Sequence, residues 1–323
     1  MKDFSGRTAI VTGGGSGMGR ELVRQLVAGG CHVAFCDLSA AAMAETRAVC
    51  EAAGLPQGVR LTHHVADVAD EVAVLRFRDE AVAQHQVDHI HLLFNNAGIG
   101  GGGSMVADSR AAWERTFNIC WGGVYYNIRA FMPLLLKATE GHIVNTSSVN
   151  GFWASIGPNT PHTAYSAAKF AVKGFTEALI ADLRVNAPHI KCSVVMPGHI
   201  GTGIAANSRK IQLGTDSETM GPAEIAATRT RLVKLGMDEA ALTDAAVQAH
   251  VSDRGRRFLE AAPMTAAQAA TVILDGVKAG AWRILVGDDA HAIDARVRAT
   301  PEAAYDPAFF DSFVREVGWI VGR

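Results

Sequence analysis

The stretch "TAIVTGGGSGMGRELVRQLVA", residues 8–28, decides how the rest of the chain reads. Five β-favouring residues, Thr8–Thr12, run straight into a glycine-rich turn, and the turn opens onto a helix-favouring segment, Gly19–Ala28. A strand apolar throughout suits a parallel sheet covered on both faces. Gly13, Gly17 and Gly19 let the backbone approach a pyrophosphate, and a helix start offers free N–H groups and the positive end of its dipole. Ser16 and Met18 complete the turn that would hold it. The next β-rich run, 32–36, ends at Asp37, whose carboxylate can accept hydrogen bonds from both ribose hydroxyls and would repel a 2′-phosphate. Neither Ser16 nor Leu38 is a cation that could offset it, so the expected cofactor is NAD rather than NADP.

Outward from this unit the pattern repeats. β-rich runs at 60–65, 91–94, 142–146 and 191–196 alternate with helix-favouring segments at 40–53, 70–86, 109–138 and 163–185. Such alternation predicts an α/β fold, a doubly wound parallel sheet of Rossmann type. Asp67, followed by Val68, ends the third run and is placed to meet an adenine amine; helix capping or solvation is the plainer role. Asn95, Asn96, Ala97 and Gly98 close the fourth, where small and amide residues let the chain pass beside a cofactor, or form an ordinary turn. After Pro197 the order changes. Residues 203–262 read as a polar excursion of short helices that includes GTDSETMGP. Thr265 is a candidate N-cap for a helix over 265–279, and WRILV, 282–286, reads as a last strand. A single dinucleotide-binding domain over 1–287 and an extension over 288–323 follow, with Phe309, Phe313 and Val317 spaced for one helical stripe.

Composition excludes several classes. Half of the 323 residues are hydrophobic, 19% are charged and the net charge is −2, which suits a packed core and leaves no basic patch for nucleic acid or an anionic membrane. No run of eighteen apolar residues occurs, and MKDFSGRTAIVTGG lacks a signal-like apolar core. Five cysteines, an odd number without metal-ligand spacing, read as reduced thiols of a cytoplasmic protein. The twelve histidines show no HExxH pattern, and no metal is expected.

TGGGSGMG, NNAG, the serine pair after IVNT, YSAAK and PGHIGT occur in one order. Together they resemble the short-chain dehydrogenase/reductase family, strongly over residues 5–202 and loosely over 265–286. The resemblance implies a catalytic set of Asn118, Ser148, Tyr165 and Lys169, with Asn118 steadying a water that links Lys169 to solvent. Either Ser147 or Ser148 could face the cleft, the second matching the family pattern. Tyr165 and Lys169 would also border the cofactor, and Pro197, Gly198, Ile200 and Thr202 match the segment that holds its nicotinamide amide. Residues four apart share a helix face, so Lys169 can stand near Tyr165. A nearby ammonium and a positive nicotinamide ring would both lower the phenol pKa; roughly three units need about 4 kcal/mol. Two departures stand out: sixteen residues separate Ser148 from Tyr165, longer than the family's usual interval, and His91 replaces an Asp common before the fourth strand.

The substrate side falls to 99–105, 149–164, 198–215 and part of 216–262, with Ile99, Phe152, Trp153, His162 and His199 as candidates; packing against the sheet edge is the equal alternative for Phe152 and Trp153. No Arg or Lys lies in 99–109 or 149–164, which disfavours small anionic substrates and favours a mid-sized apolar or aromatic secondary alcohol or its ketone. An NADPH-dependent carbonyl reductase and an inactive dinucleotide-binding protein are the alternatives. Apolar residues on more than one side of the 109–138 and 163–185 helices suggest a homodimer or homotetramer.

Overall fold

Thr8–Thr12 forms β1, buried along its whole length. The computed structural model describes residues 1–323 except 159, 215–218, 320, 322 and 323. The expected polar stretch GTDSETMGP therefore lies partly outside the described residues. β1 pairs in parallel with β2 (His32–Asp37) on one side and with β4 (Leu92–Asn95) on the other. β3 (Leu61–Val65), β5 (Gly141–Thr146), β6 (Ile190–Pro197) and β9 (Arg283–Val286) extend the sheet to the order β3-β2-β1-β4-β5-β6-β9. The chain reverses its direction of travel between β1 and β4, and that gap at the carboxyl ends is where such folds bind ligands.

Alternate residues of each strand feed two cores, as a pleat requires. Val11, Phe35 and Phe94 pack under α1 (Gly17–Ala28), α2 (Ala40–Ala52) and α10 (Ala266–Ala279). Ile10, Ala34 and Leu93 face α3 (Glu71–His85), α5 (Gly123–Leu135) and α6 (Thr163–Asn186). Thr265 caps α10 in a reciprocal box with Gln268, as its position predicts. His91, buried just before β4, accepts the Thr8 N–H through Nδ1 at 3.2 Å, a strand-start role.

The helix expected over 109–138 is not continuous. α4 (Arg110–Phe117) ends in a π turn, Asn118–Gly122, before α5 begins. Gly122 and Gly123 make the wider turn easy, and Gly123 packs where a Cβ would stand 2.8 Å from Val68 Cγ2. The excursion holds α7 (Ile204–Leu213), α8 (Pro222–Lys234) and the seventeen-residue α9 (Asp244–Glu260), with a small core of Ile225, Leu232, Leu242 and Val247. Two short strands, β7 (Ile200–Gly201) and β8 (Met264–Thr265), tie its ends together. The extension forms α11 (Asp288–Ala299) and α12 (Pro307–Val317); Phe309, Phe310 and Phe313 of α12 enter a third core. Among the described residues no helix is long and apolar enough to cross a membrane. Among the same residues no group of His, Cys, Asp or Glu is placed to hold a metal ion.

Candidate active site

The glycine-rich turn and the NNAG turn cross in contact. Gly13 has φ 67°, and a Cβ there would stand 2.8 Å from Ala97 Cα. Thr12 clamps the crossing: its Oγ1 accepts the N–H groups of Asn96 (3.0 Å) and Ala97 (3.1 Å). Asn96 returns a bond to the Thr12 carbonyl at 3.1 Å. Thr12 was missed in the sequence, although a hydroxyl at the end of an apolar strand is a readable signal. Ser16 precedes α1 without capping it, so the first N–H groups of the helix stay available at its positive end. Asp37 curls over the turn, Oδ2 accepting the Gly15 N–H at 3.0 Å and Oδ1 that of Ser39 at 3.2 Å. A Cβ on Gly15 would meet this carboxylate at 2.8 Å, so the space above the turn is kept clear by sequence. Gly17, Met18, Gly19 and the half-exposed Leu38 complete a cradle whose shape and donors fit a dinucleotide.

Two expected cofactor residues are otherwise engaged. Asn95 is buried and donates to Asn145 Oδ1 at 2.8 Å, and Asn145 donates to Thr176 at 3.0 Å. Its amide aligns β4 with β5 and α6 rather than facing the cleft. Asp67 takes the Arg115 guanidinium at 2.6 Å and the Ala69 N–H at 3.0 Å, which ties the β3 loop to α4. Val68 beside it is buried.

At the end of β5 the two serines separate. Ser147 is buried and donates its hydroxyl to the Lys169 carbonyl at 2.7 Å. Ser148 lies in extended backbone and accepts the Asn150 N–H at 3.1 Å, and its hydroxyl acts on the phenol of Tyr165, drawing its pKa down. Lys169 donates from Nζ to the Thr146 carbonyl at 2.8 Å, 5.3 Å from the Tyr165 ring centroid. Gly98 passes close by: a Cβ there would be 3.4 Å from Lys169 Nζ. Burial pushes the Tyr165 phenol up, with the Cys120 thiol adding and the Ser148 hydroxyl opposing. Burial likewise pushes the Lys169 ammonium down. The expected lowering of the phenol is thus not supplied by the polypeptide alone, because desolvation outweighs what the Ser148 hydroxyl contributes.

Asn118 opens the π turn and is exposed; its carbonyl accepts the Gly123 N–H. No hydrogen bond joins its side chain to Lys169 among the described residues. Cys120, two residues on, is the buried neighbour of Tyr165 and Lys169, its thiol donating to the Ile99 carbonyl at 3.2 Å. The wider turn carries this thiol inward, a placement no local pattern announced.

The Pro197–Thr202 segment is braced from behind. Gly198 donates to Val286 at 2.9 Å, and the His199 N–H donates to the buried Asp289 carboxylate of α11 at 2.6 Å. The His199 ring donates from Nε2 to the Phe258 carbonyl at 2.7 Å and packs on the Phe258 ring at 4.5 Å. His199 is therefore a buried strut between this segment and α9, not a substrate contact. Ile200 is buried, and Thr202 lies over Gly17, where a Cβ would stand 3.2 Å from Thr202 Cγ2. Above them α7 straps the cleft: Asn207 donates to Ser16 at 3.1 Å, Ser208 accepts the Gly100 N–H at 2.8 Å, and Gln212 donates to Thr116 at 2.7 Å.

Phe152 and Trp153 do not wall the cleft. Trp153 is fully buried among Phe309, Phe310 and Phe313 of α12, and Phe152 packs on the same cluster under the Arg283 guanidinium. The extension supplies apolar partners that the interval alone does not reveal. His162 does reach the site, its ring 4.7 Å from that of Tyr165; burial and the Arg254 charge hold its pKa to about 4. Ile99 lies buried below.

A parallel sheet carrying a dinucleotide cradle beside a Ser–Tyr–Lys cluster defines a nicotinamide dinucleotide-dependent oxidoreductase. The chain belongs to the short chain dehydrogenase family, whose pattern it matches over residues 7–212. SadH of Mycobacterium tuberculosis, itself only provisionally assigned as an oxidoreductase, is 33% identical over 298 residues, 92% of each chain. A short chain dehydrogenase/reductase from Burkholderia phymatum, solved with NAD, superimposes with a TM-score of 0.73 at 29% identity, covering 94% of this chain and 95% of that one. A metagenomic short-chain oxidoreductase solved with NADP gives 0.53 at 28% identity, covering 60% and 83%.

Proposed function

We propose that the protein transfers a hydride between NAD(H) and a mid-sized apolar or aromatic secondary alcohol or its ketone, with Tyr165 as general acid and base. The observation that carries this reading is Lys169 Nζ 5.3 Å from the Tyr165 ring centroid, with the Ser148 hydroxyl acting on the same phenol, beside the glycine cradle. When bound, the dinucleotide supplies the hydride donor or acceptor and, in its oxidised form, a positive ring. In reduction the phenol, kept protonated by burial, gives its proton to the carbonyl oxygen; in oxidation it acts as the deprotonated tyrosinate and takes the carbinol proton. Ser148 steadies the same oxygen as charge develops. Lys169, anchored on Thr146, supplies a fixed positive charge near that oxygen.

NAD is favoured over NADP by the Asp37 carboxylate at the rim of the cradle. Arg20, at the start of the helix after the glycine turn, is committed to the Gly15 carbonyl (2.6 Å) and to Glu45 (2.8 Å). The half-exposed Tyr125 and Phe170 on the outer faces of α5 and α6 suit pairing with a second copy as a homodimer or homotetramer, in the cytoplasm. A screen of apolar ketones with NADH and NADPH tests the reading by absorbance of the reduced cofactor. Turnover that survives Tyr165→Phe, or that requires NADPH, overturns it.

A further inference from the structure

Residues Val247, Val251, Arg254 and Phe258 recur at the spacing of one face of α9. Val247 and Val251 enter the core of the insertion, and Phe258 lies against His199. Arg254 therefore sits on the inward stripe, between that core and the nicotinamide segment. Its neighbours are paired: Arg209 with Glu224, Arg229 with Asp244, and Arg256 and Arg257 with Asp253. Among the described residues Arg254 itself makes no hydrogen bond or ion pair. Its charge is felt at His162, whose ring touches that of Tyr165. Arg231 and Arg257 stand near it as further positive charges, and burial, Arg231 and Arg257 together push its own pKa down.

A half-buried guanidinium without a counter-ion, among like charges, is costly unless a ligand completes it. The fork of one arginine matches a carboxylate in bidentate fashion. We propose that Arg254 is a substrate-positioning residue that takes a carboxylate carried by the substrate several bonds from the reacting carbon. The substrate is then an amphipathic keto or hydroxy acid, apolar in the middle and anionic at the remote end. This rests on the redox reading above and deepens it. The absence of cations in 99–109 and 149–164 still disfavours an acid group next to the carbonyl, whereas the insertion brings one in from about ninety positions further along.

The test uses the full chain with NADH and aryl ketones bearing a carboxylate at increasing distance, 4-acetylbenzoate being the shortest, each beside its methyl ester. At least one acid should exceed its ester by about tenfold or more in kcat/KM, the scale of a charge-assisted pair. In Arg254→Met and Arg254→Gln the preference should collapse through KM rather than kcat, and Arg254→Lys should restore part of it. The wild-type comparison needs no variant: preference for every ester overturns the proposal, as does an acid preference that survives in a folded Arg254→Met. Quenching of tryptophan fluorescence by the acids separates the two readings. Binding that depends on Arg254 without turnover keeps the carboxylate site and discards the redox substrate. Turnover indifferent to Arg254 does the reverse.

Discussion

The indole of Trp153 donates its N–H to the Ala304 carbonyl at 2.7 Å, joining the Ser148–Tyr165 interval to the C-terminal extension. Tyr305 adds a second tie, its hydroxyl accepting the Ala154 N–H at 3.2 Å. The long interval and the extension are thus two halves of one feature: the loop supplies the knob, and α11 and α12 supply the socket. Asn150 shapes the knob by donating to the carbonyls of Trp153 and Ser155, each at 2.9 Å.

Trp153→Ala should accordingly act on stability. It empties a fully buried site and orphans the Ala304 carbonyl, a change that typically costs about 3–5 kcal/mol. Urea denaturation measures it, and a loss below about 1 kcal/mol would mean that the knob is not seated as described.

Ser147 and Ser148 should respond differently to removal of their hydroxyls. Ser148→Ala deletes the hydroxyl that acts on the phenol and should lower kcat by about a hundredfold, with Tyr165→Phe costing a hundredfold to ten-thousandfold or so. Ser147→Ala loses one bond to the Lys169 carbonyl and should cost about 1 kcal/mol of stability with a far smaller fall in kcat. Paired kinetics and melts decide, and a larger kcat loss for Ser147→Ala would reverse the assignment.

What the chain discloses in advance follows the range of the forces involved. The seven strands of the main sheet were legible because each is a local run of β-favouring residues bounded by turn signals. The glycines and Asp37 were legible because backbone freedom and charge act within one βαβ unit. Trp153 was misplaced because its partners lie about 150 positions away and nothing local distinguishes a cleft residue from a core one. The side-chain partners of His199 and Asn95 were hidden for the same reason: their hydrogen bonds reach Phe258 and Asn145. The π turn at Asn118 left only a glycine pair as its sign.

Asp37 should set the cofactor preference. Replacing the carboxylate by Asp37→Asn together with Leu38→Arg removes repulsion and adds a partner for a 2′-phosphate. The ratio of kcat/KM for NADP over NAD should rise by about a hundredfold, the scale of one charge repulsion exchanged for one charge-assisted pair. Gly15 limits the design, because the Asn side chain must still accept the Gly15 N–H at the 3.0 Å now spanned by Asp37. Steady-state kinetics with both dinucleotides measure the ratio, and an unchanged ratio would place the selectivity elsewhere.

Acid should weaken the fold well above the range in which carboxylates titrate. His85, His91 and His142 are buried, and burial foremost, with nearby cations, holds their pKa values to about 4, about 4 and about 3. His142 shows why the neutral form is built in. Ser193 donates to the Ala281 carbonyl, so His142 must donate to Ser193 from Nε2, and its buried Nδ1 has no partner for a second proton. A histidine with a depressed folded pKa binds fewer protons folded than unfolded. Stability is therefore full above the unfolded value of about 6.5 and falls as pH drops toward the folded value. Each of the three should cost roughly 1–2 kcal/mol by pH 5, a large share of a typical net stability of about 5–15 kcal/mol. Urea midpoints measured from pH 7.5 to 4.5 should decline from about pH 6.5 downward. A midpoint flat to pH 5 would show that these histidines accept protons without strain.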